Sequence, residues 1–118
     1  MTSPNYDLFR TALLACRPVS FDYQGFTRIV CPHVVGMKHG AEKVLTFQFA
    51  GGSNSGLPAG GQWRCVFVHE VSNVRVLDPA PWKTGENRHT RPQSCIDAVD
   101  AEIIVDVYGN PTPYTRQA

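Results

Sequence analysis

Arg28 and Arg64 are the residues in this chain best suited to chemistry. Both fall in segments that alternate like strands, so rigid backbone can aim two guanidinium forks at one phosphate or carboxylate. Tyr23 and His33 lie close enough in sequence to add a stacking ring or a further donor. Gln48 supplies a directional amide just before a glycine-rich stretch, and Ser53 and Ser55 sit inside that stretch as candidates for a polar rim. We take Tyr23, Arg28, His33, Gln48, Ser53, Ser55 and Arg64 as the candidate ligand-binding set. The plain alternative puts both arginines on solvated strand faces.

Other constellations are weaker. Cys31 and His33 form the one close thiol–imidazole pair, but strand alternation does not guarantee the contact that would activate a thiolate. No G-x-S-x-G, H-E-x-x-H or paired-carboxylate motif is present, so the expectation is a binding module and not an enzyme, with no catalytic residues. A zinc site would have to use Cys31, His33, Cys65 and His69, without the tight C-x-x-C knuckles that structural zinc favours. Neither a metal nor a cofactor is expected. The loop over 51–62, GGSNSGLPAGGQ, lacks the lysine of a phosphate loop and runs into a strand, not a helix. Asp97, Asp100, Glu102 and Asp106 read as a solvated strand face.

These residues must be positioned by strands. Ser3 is a natural N-cap and Pro4 suits the first helical turn, with Phe9, Ala12, Leu13 and Cys16 at helical spacing before Arg17-Pro18 ends the helix. Alternation then predicts strands over 19–23, 26–35, 42–50, 63–69, 71–77 and 99–107, with turns at Gln24-Gly25 and His39-Gly40. Pro32 marks an edge or a bulge. Leu45, Phe47 and Phe49 form one apolar face of the third strand; Glu42, Val44, Thr46 and Gln48 form the other. Phe21, Ile29, Leu45, Phe47 and either Val66 or Phe67 are the expected core. Residues 79–92 read as an irregular connector and 109–118 as a tail, leaving 1–108 as a single domain.

Composition agrees with one small globular unit. The chain has 118 residues, 42% of them hydrophobic and 18% charged, with net charge +1. Ten glycines and nine prolines favour turns over long helices. This excludes a coiled coil, a membrane-spanning protein and a basic tail. Residues 1–60 carry +2 and residues 61–118 carry −1, so any positive face is modest. The four cysteines show no short repeated spacing, and the N-terminus has no signal-like pattern. The expectation is four reduced thiols in a cytoplasmic protein.

Between residues 18 and 78 the chain resembles the WYL domain family. The pieces that carry the resemblance are PVSFDY, TRIVCPHVVG, KVLTFQF and WRCVFVHEV, in that order. Tyr23, Arg28, Pro32, Leu45, Arg64, Val68 and Val71 fall where the family pattern has such residues. The family's Trp-Tyr-Leu triplet falls on Lys43-Val44-Leu45, and its later Phe and Arg fall on Val66 and Glu70. The resemblance implies a small SH3/Sm-like antiparallel barrel, here mainly β and preceded by one short N-terminal helix. About 17 residues precede the first strand, too few for the helix-turn-helix domain family members usually carry, so the module reads as stand-alone. It further implies ligand sensing in bacterial transcription regulation, with a nucleotide or single-stranded nucleic acid as the anionic ligand. The alternative is a structural domain that forms homodimers or binds another protein.

Overall fold

The computed structural model describes residues 2–53, 56–84 and 93–116. The protein is mainly antiparallel β-sheet with one short N-terminal helix. Helix α1 spans Pro4–Leu14; the Ser3 hydroxyl accepts from the Tyr6 amide at 3.2 Å, and Pro4 occupies the first turn, where its missing N–H leaves nothing unsatisfied. Tyr6, Phe9, Ala12 and Leu13 form its buried face.

The strands are β1 (Val19–Tyr23), β2 (Phe26–Lys38), β3 (Ala41–Gly51), β4 (Gln62–Phe67), β5 (Ser72–Val76), β6 (Ala98–Val105) and β7 (Pro111–Thr115). Gln24-Gly25 and His39-Gly40 close the first two hairpins, and all four residues have positive φ, the two-residue turn that matches strand twist. The sheet order is β4-β3-β2-β1-β5, with a 3₁₀ turn at Val68–Glu70 carrying the chain from β4 to the opposite edge. That is the order of an SH3/Sm-like barrel. Among the described residues β4 and β5 are not paired with each other, so the sheet stays open.

The long β2 strand organises the molecule. Its first half pairs with β1 and its second half with β6, both on the side away from β3. Gly36 permits the second pairing: a Cβ there would lie 2.1 Å from the Ala98 carbonyl oxygen. The register slips between Pro32 and Val34, leaving His33 as the extra residue of a bulge. Alternation alone groups Val35 with Cys31 and His33. The bulge reverses this, putting Val35 in the main core beside α1 and Val34 in a second cluster with Leu45 and Ile96.

Both faces of β3 are therefore covered. Val44 lies in the core under α1, and Thr46 and Gln48, although polar, are fully buried along the same face. On the opposite face Leu45 and Phe47 are buried, with Trp63 and Cys65 of β4 across from them. Phe21 and Val66 are inside as expected, whereas Ile29 is only half-buried because its neighbours Arg28 and Val30 take the inner face.

Two expectations need correcting. The thiols of Cys65 and Cys95 are joined in a disulfide, with Cα atoms 6.1 Å apart, so only Cys16 and Cys31 are free. The fold brings β4 and the entry to β6 together over the Leu45 face, which a separation of 30 residues does not reveal. Residues 109–118 are not simply a tail, since β7 pairs with β6 along five residues. Bonds from Asp106 N to Asn110 O and from Arg116 N to Asp100 O fix the ladder. With that register, Pro111 and Pro113 fall at positions whose backbone nitrogens point to the open edge.

Candidate ligand-binding site

The apolar core under α1 gives way to polar groups at one end of the same sheet face. β1 brings Tyr23, β2 brings Arg28, β3 brings Gln48 and β4 brings Arg64. Phe21 sits opposite Arg28 in the β1–β2 ladder and Thr46 sits opposite Arg64 in the β3–β4 ladder, so both arginines share the inner side with buried neighbours. The expected convergence of Arg28 and Arg64 is found. Neither lies on a solvated face: Arg28 is 2% exposed and Arg64 is half-buried.

The network is ordered but incomplete. Arg64 Nε donates to Gln48 Oε1 at 3.0 Å. Gln48 Nε2 donates to the carbonyls of Ala50 at 3.0 Å and Gly52 at 3.2 Å. The Arg28 guanidinium carbon stands 4.8 Å from the centre of the Tyr23 ring, a cation–π contact. Arg28 Nε, Arg64 Nη2 and Ser53 Oγ are buried with no hydrogen-bond partner among the described residues. Among the described residues neither arginine is in an ion pair, while Arg10, Arg17 and Arg116 each have a carboxylate. Burial, followed by the nearby Arg64 charge, lowers the pKa of Arg28, with Tyr23 opposing. Guanidinium groups nevertheless remain charged at any physiological pH.

A cavity of about 360 Å³ opens onto this cluster, with Tyr23, Gln24, Arg28, Trp63 and Arg64 among its walls. Two fixed forks of N–H donors, two positive charges and an aromatic face can hold an oxyanion and orient what is attached to it. Sheltering from water strengthens such contacts.

The other candidates are placed differently. Gln48 supports Arg64 and is not a wall of the cavity. Ser53, one residue beyond Gly52, is half-buried with its hydroxyl shielded, and Ser55 lies outside the described residues. His33 is fully buried at the bulge, away from the arginine cavity. An indole N–H can only donate, so His33 Nε2 accepts from Trp82 Nε1 at 3.2 Å, and Nδ1 carries the proton that it donates to the Cys31 carbonyl at 2.8 Å. The imidazole thus engages the Cys31 backbone. Burial pushes the Cys31 thiol up to about 11, opposed by the Lys83 backbone N–H. That environment favours the thiol over the thiolate a nucleophile needs.

The four residues of the zinc reading are not assembled: Cys65 is bonded to Cys95, and His69 stacks on Phe67 in the 3₁₀ turn. Among the described residues no group of three or more His, Cys, Asp or Glu side chains is placed to hold a metal ion. Among them, too, no helix is long and apolar enough to cross a membrane. Trp63, which borders the cavity, was absent from the candidate set; its position next to Arg64 on an edge strand was the available signal. No protein-family model matches the chain, and neither a curated protein nor a solved structure shows significant similarity to it.

Proposed function

We propose that this protein is a non-enzymatic anion-binding module, with a nucleotide or a short single-stranded nucleic acid as its ligand, serving as a ligand sensor of the WYL kind in bacterial transcription regulation. The observation that supports it is the pair of guanidinium groups, Arg28 buried and Arg64 half-buried, beside one cavity, each with a buried donor that has no partner and no paired carboxylate among the described residues. A buried, unpaired polar group is costly, and a bound oxyanion supplies the missing acceptors. The cytoplasmic location belongs to this reading; Cys65–Cys95 is then a bond formed under oxidation.

The test is titration of wild type, Arg28→Ala and Arg64→Ala with nucleoside monophosphates and short single-stranded oligonucleotides. Arg64→Ala is expected to remove about 1.5–3 kcal/mol of binding free energy. Salt weakens an oligonucleotide steeply and a mononucleotide gently. Equal affinities for all three proteins, or no binding to any of these anions, sinks the proposal.

A homodimerising domain is the second reading. It is favoured by apolar side chains left exposed on β6, β7 and the turn between them: Ile104 is 46% exposed, Tyr114 50%, Tyr108 86% and Val107 93%. Sedimentation of wild type against Ile104→Glu distinguishes it from a monomeric sensor.

A further inference from the structure

We propose a second subsite on the other side of β4 from Arg64, which takes the planar ring of a ligand whose anionic group sits between Arg28 and Arg64. It rests on the anion-binding reading above and specifies the ligand as an anion joined through a hydroxylated linker to a flat heterocycle. A cavity of about 570 Å³ lies there, bounded by Phe47, Gly60, Gly61, Trp63 and Thr84. One wall is aromatic: the Phe47 and Trp63 rings meet edge to face with centres 5.1 Å apart, which fixes both. The Gly61 backbone packs directly against the Phe47 ring, since a Cβ there would come within 2.6 Å of Phe47 Cζ, and it closes the cavity on that side. An aromatic wall of this kind offers a flat ring a stacking surface that a branched aliphatic group cannot use as well.

Three further features join the two cavities. Arg64 and Trp63 are neighbours on one strand, so their side chains leave opposite faces of the sheet. Trp63 nevertheless borders both cavities. Among the described residues β4 pairs only with β3, so a ligand can pass around its free edge. The N–H and C=O groups along that edge offer partners to linker hydroxyls. Gln62, exposed beside Trp63, can hydrogen-bond the rim of the ring.

The experiment compares adenosine 5′-monophosphate, ribose 5-phosphate and inorganic phosphate by calorimetric titration. Wild type is expected to bind adenosine monophosphate about tenfold or more tightly than ribose 5-phosphate, the size of one base–aromatic stack. Thr84→Trp, at an exposed position, fills the slot. It should abolish that advantage while leaving ribose 5-phosphate affinity unchanged. Fluorescence of the Trp82→Phe protein, in which Trp63 is the remaining indole, gives a check independent of the plug: adenosine monophosphate should quench it and ribose 5-phosphate should not. Equal wild-type affinities for the two phosphates, or no quenching, overturns the subsite while the arginine site stands. Failure of all three phosphates to bind wild type overturns the anion-binding reading, and the subsite with it.

Discussion

Arg64 and Gln48 are joined by a hydrogen bond of 3.0 Å from guanidinium Nε to side-chain Oε1, and Gln48 is itself anchored through its amide to the carbonyls of Ala50 and Gly52. A fully buried amide thereby holds a cation at the end of an apolar core. Gln48→Met, close in shape, leaves Arg64 Nε and both carbonyls short of a partner. It is expected to lower stability by about 1–3 kcal/mol in urea unfolding. Phosphate affinity should drop severalfold without vanishing, since Arg64 keeps its charge but loses its orientation.

Arg28 presents the reverse case. It is almost wholly buried, one of its nitrogens has no partner among the described residues, and a second cation lies nearby. Arg28→Met removes an uncompensated charge and keeps much of the side-chain volume. Thermal unfolding should show the ligand-free protein gaining about 1–2 kcal/mol, while phosphate titration shows binding lost. A clear loss of stability would mean that the contact with Tyr23 outweighs the burial of the charge.

The disulfide closes a loop spanning 30 residues of sequence separation. Chain-entropy arguments put its contribution at about 3–4 kcal/mol. Cys65→Ser and Cys95→Ser should each show that loss in denaturant, and the double variant should lose no more than either single one. Thiol titration of the unfolded, unreduced chain should count two groups, Cys16 and Cys31, rising to four after reduction.

The pH dependence follows from groups at both ends of the scale. Cys31 is raised by burial from 9.0 to about 11, so the folded state favours its protonated form. Its contribution is complete below pH 9 and disappears as pH climbs through about 11. Native protein should resist alkylation of Cys31 at pH 8 and react only on unfolding. Asp22, Asp97 and Asp106 are lowered from 3.8, first by hydrogen bonds from Asn73, from Lys38 and from the Asn110 backbone respectively. Their contribution is complete above the ordinary carboxylate value and fades as pH falls, which unfolding scans between pH 5 and pH 2 should show.

Alternation made the strands legible, and the Gln-Gly and His-Gly pairs made the first two hairpins legible, because backbone sterics act locally. The placing of Arg28 near Tyr23 was legible for the same reason, since antiparallel register follows once the Gln24-Gly25 turn is known. The face of β4 that carries Arg64 was not legible, because the long connection over 51–62 leaves its register open, the same ambiguity that left Val66 and Phe67 undecided. What failed was everything set by a third layer. The bulge at His33 exchanges the faces of Val34 and Val35, and nothing nearby except Pro32 announces it. Because segments on both sides cover β3, an apolar face no longer identifies the core, and the more polar row of Val44, Thr46 and Gln48 proves wholly buried. His33 reads as a ligand contact until Trp82, 49 residues later, takes its ring. β7 was hidden by its own composition, since two prolines in five residues argue against a strand unless both nitrogens point outward.

Those two prolines set a limit on how copies of the chain can associate. With Pro111 and Pro113 on the outer margin of β7, another strand added there would find no amide protons at two of its docking points. Backbone-templated growth into fibres is blocked at this margin even though Ile104 and Tyr114 lie exposed beside it. Any meeting of two copies at this end must run through side chains, face against face, which favours a closed, countable pair over an open-ended chain of molecules.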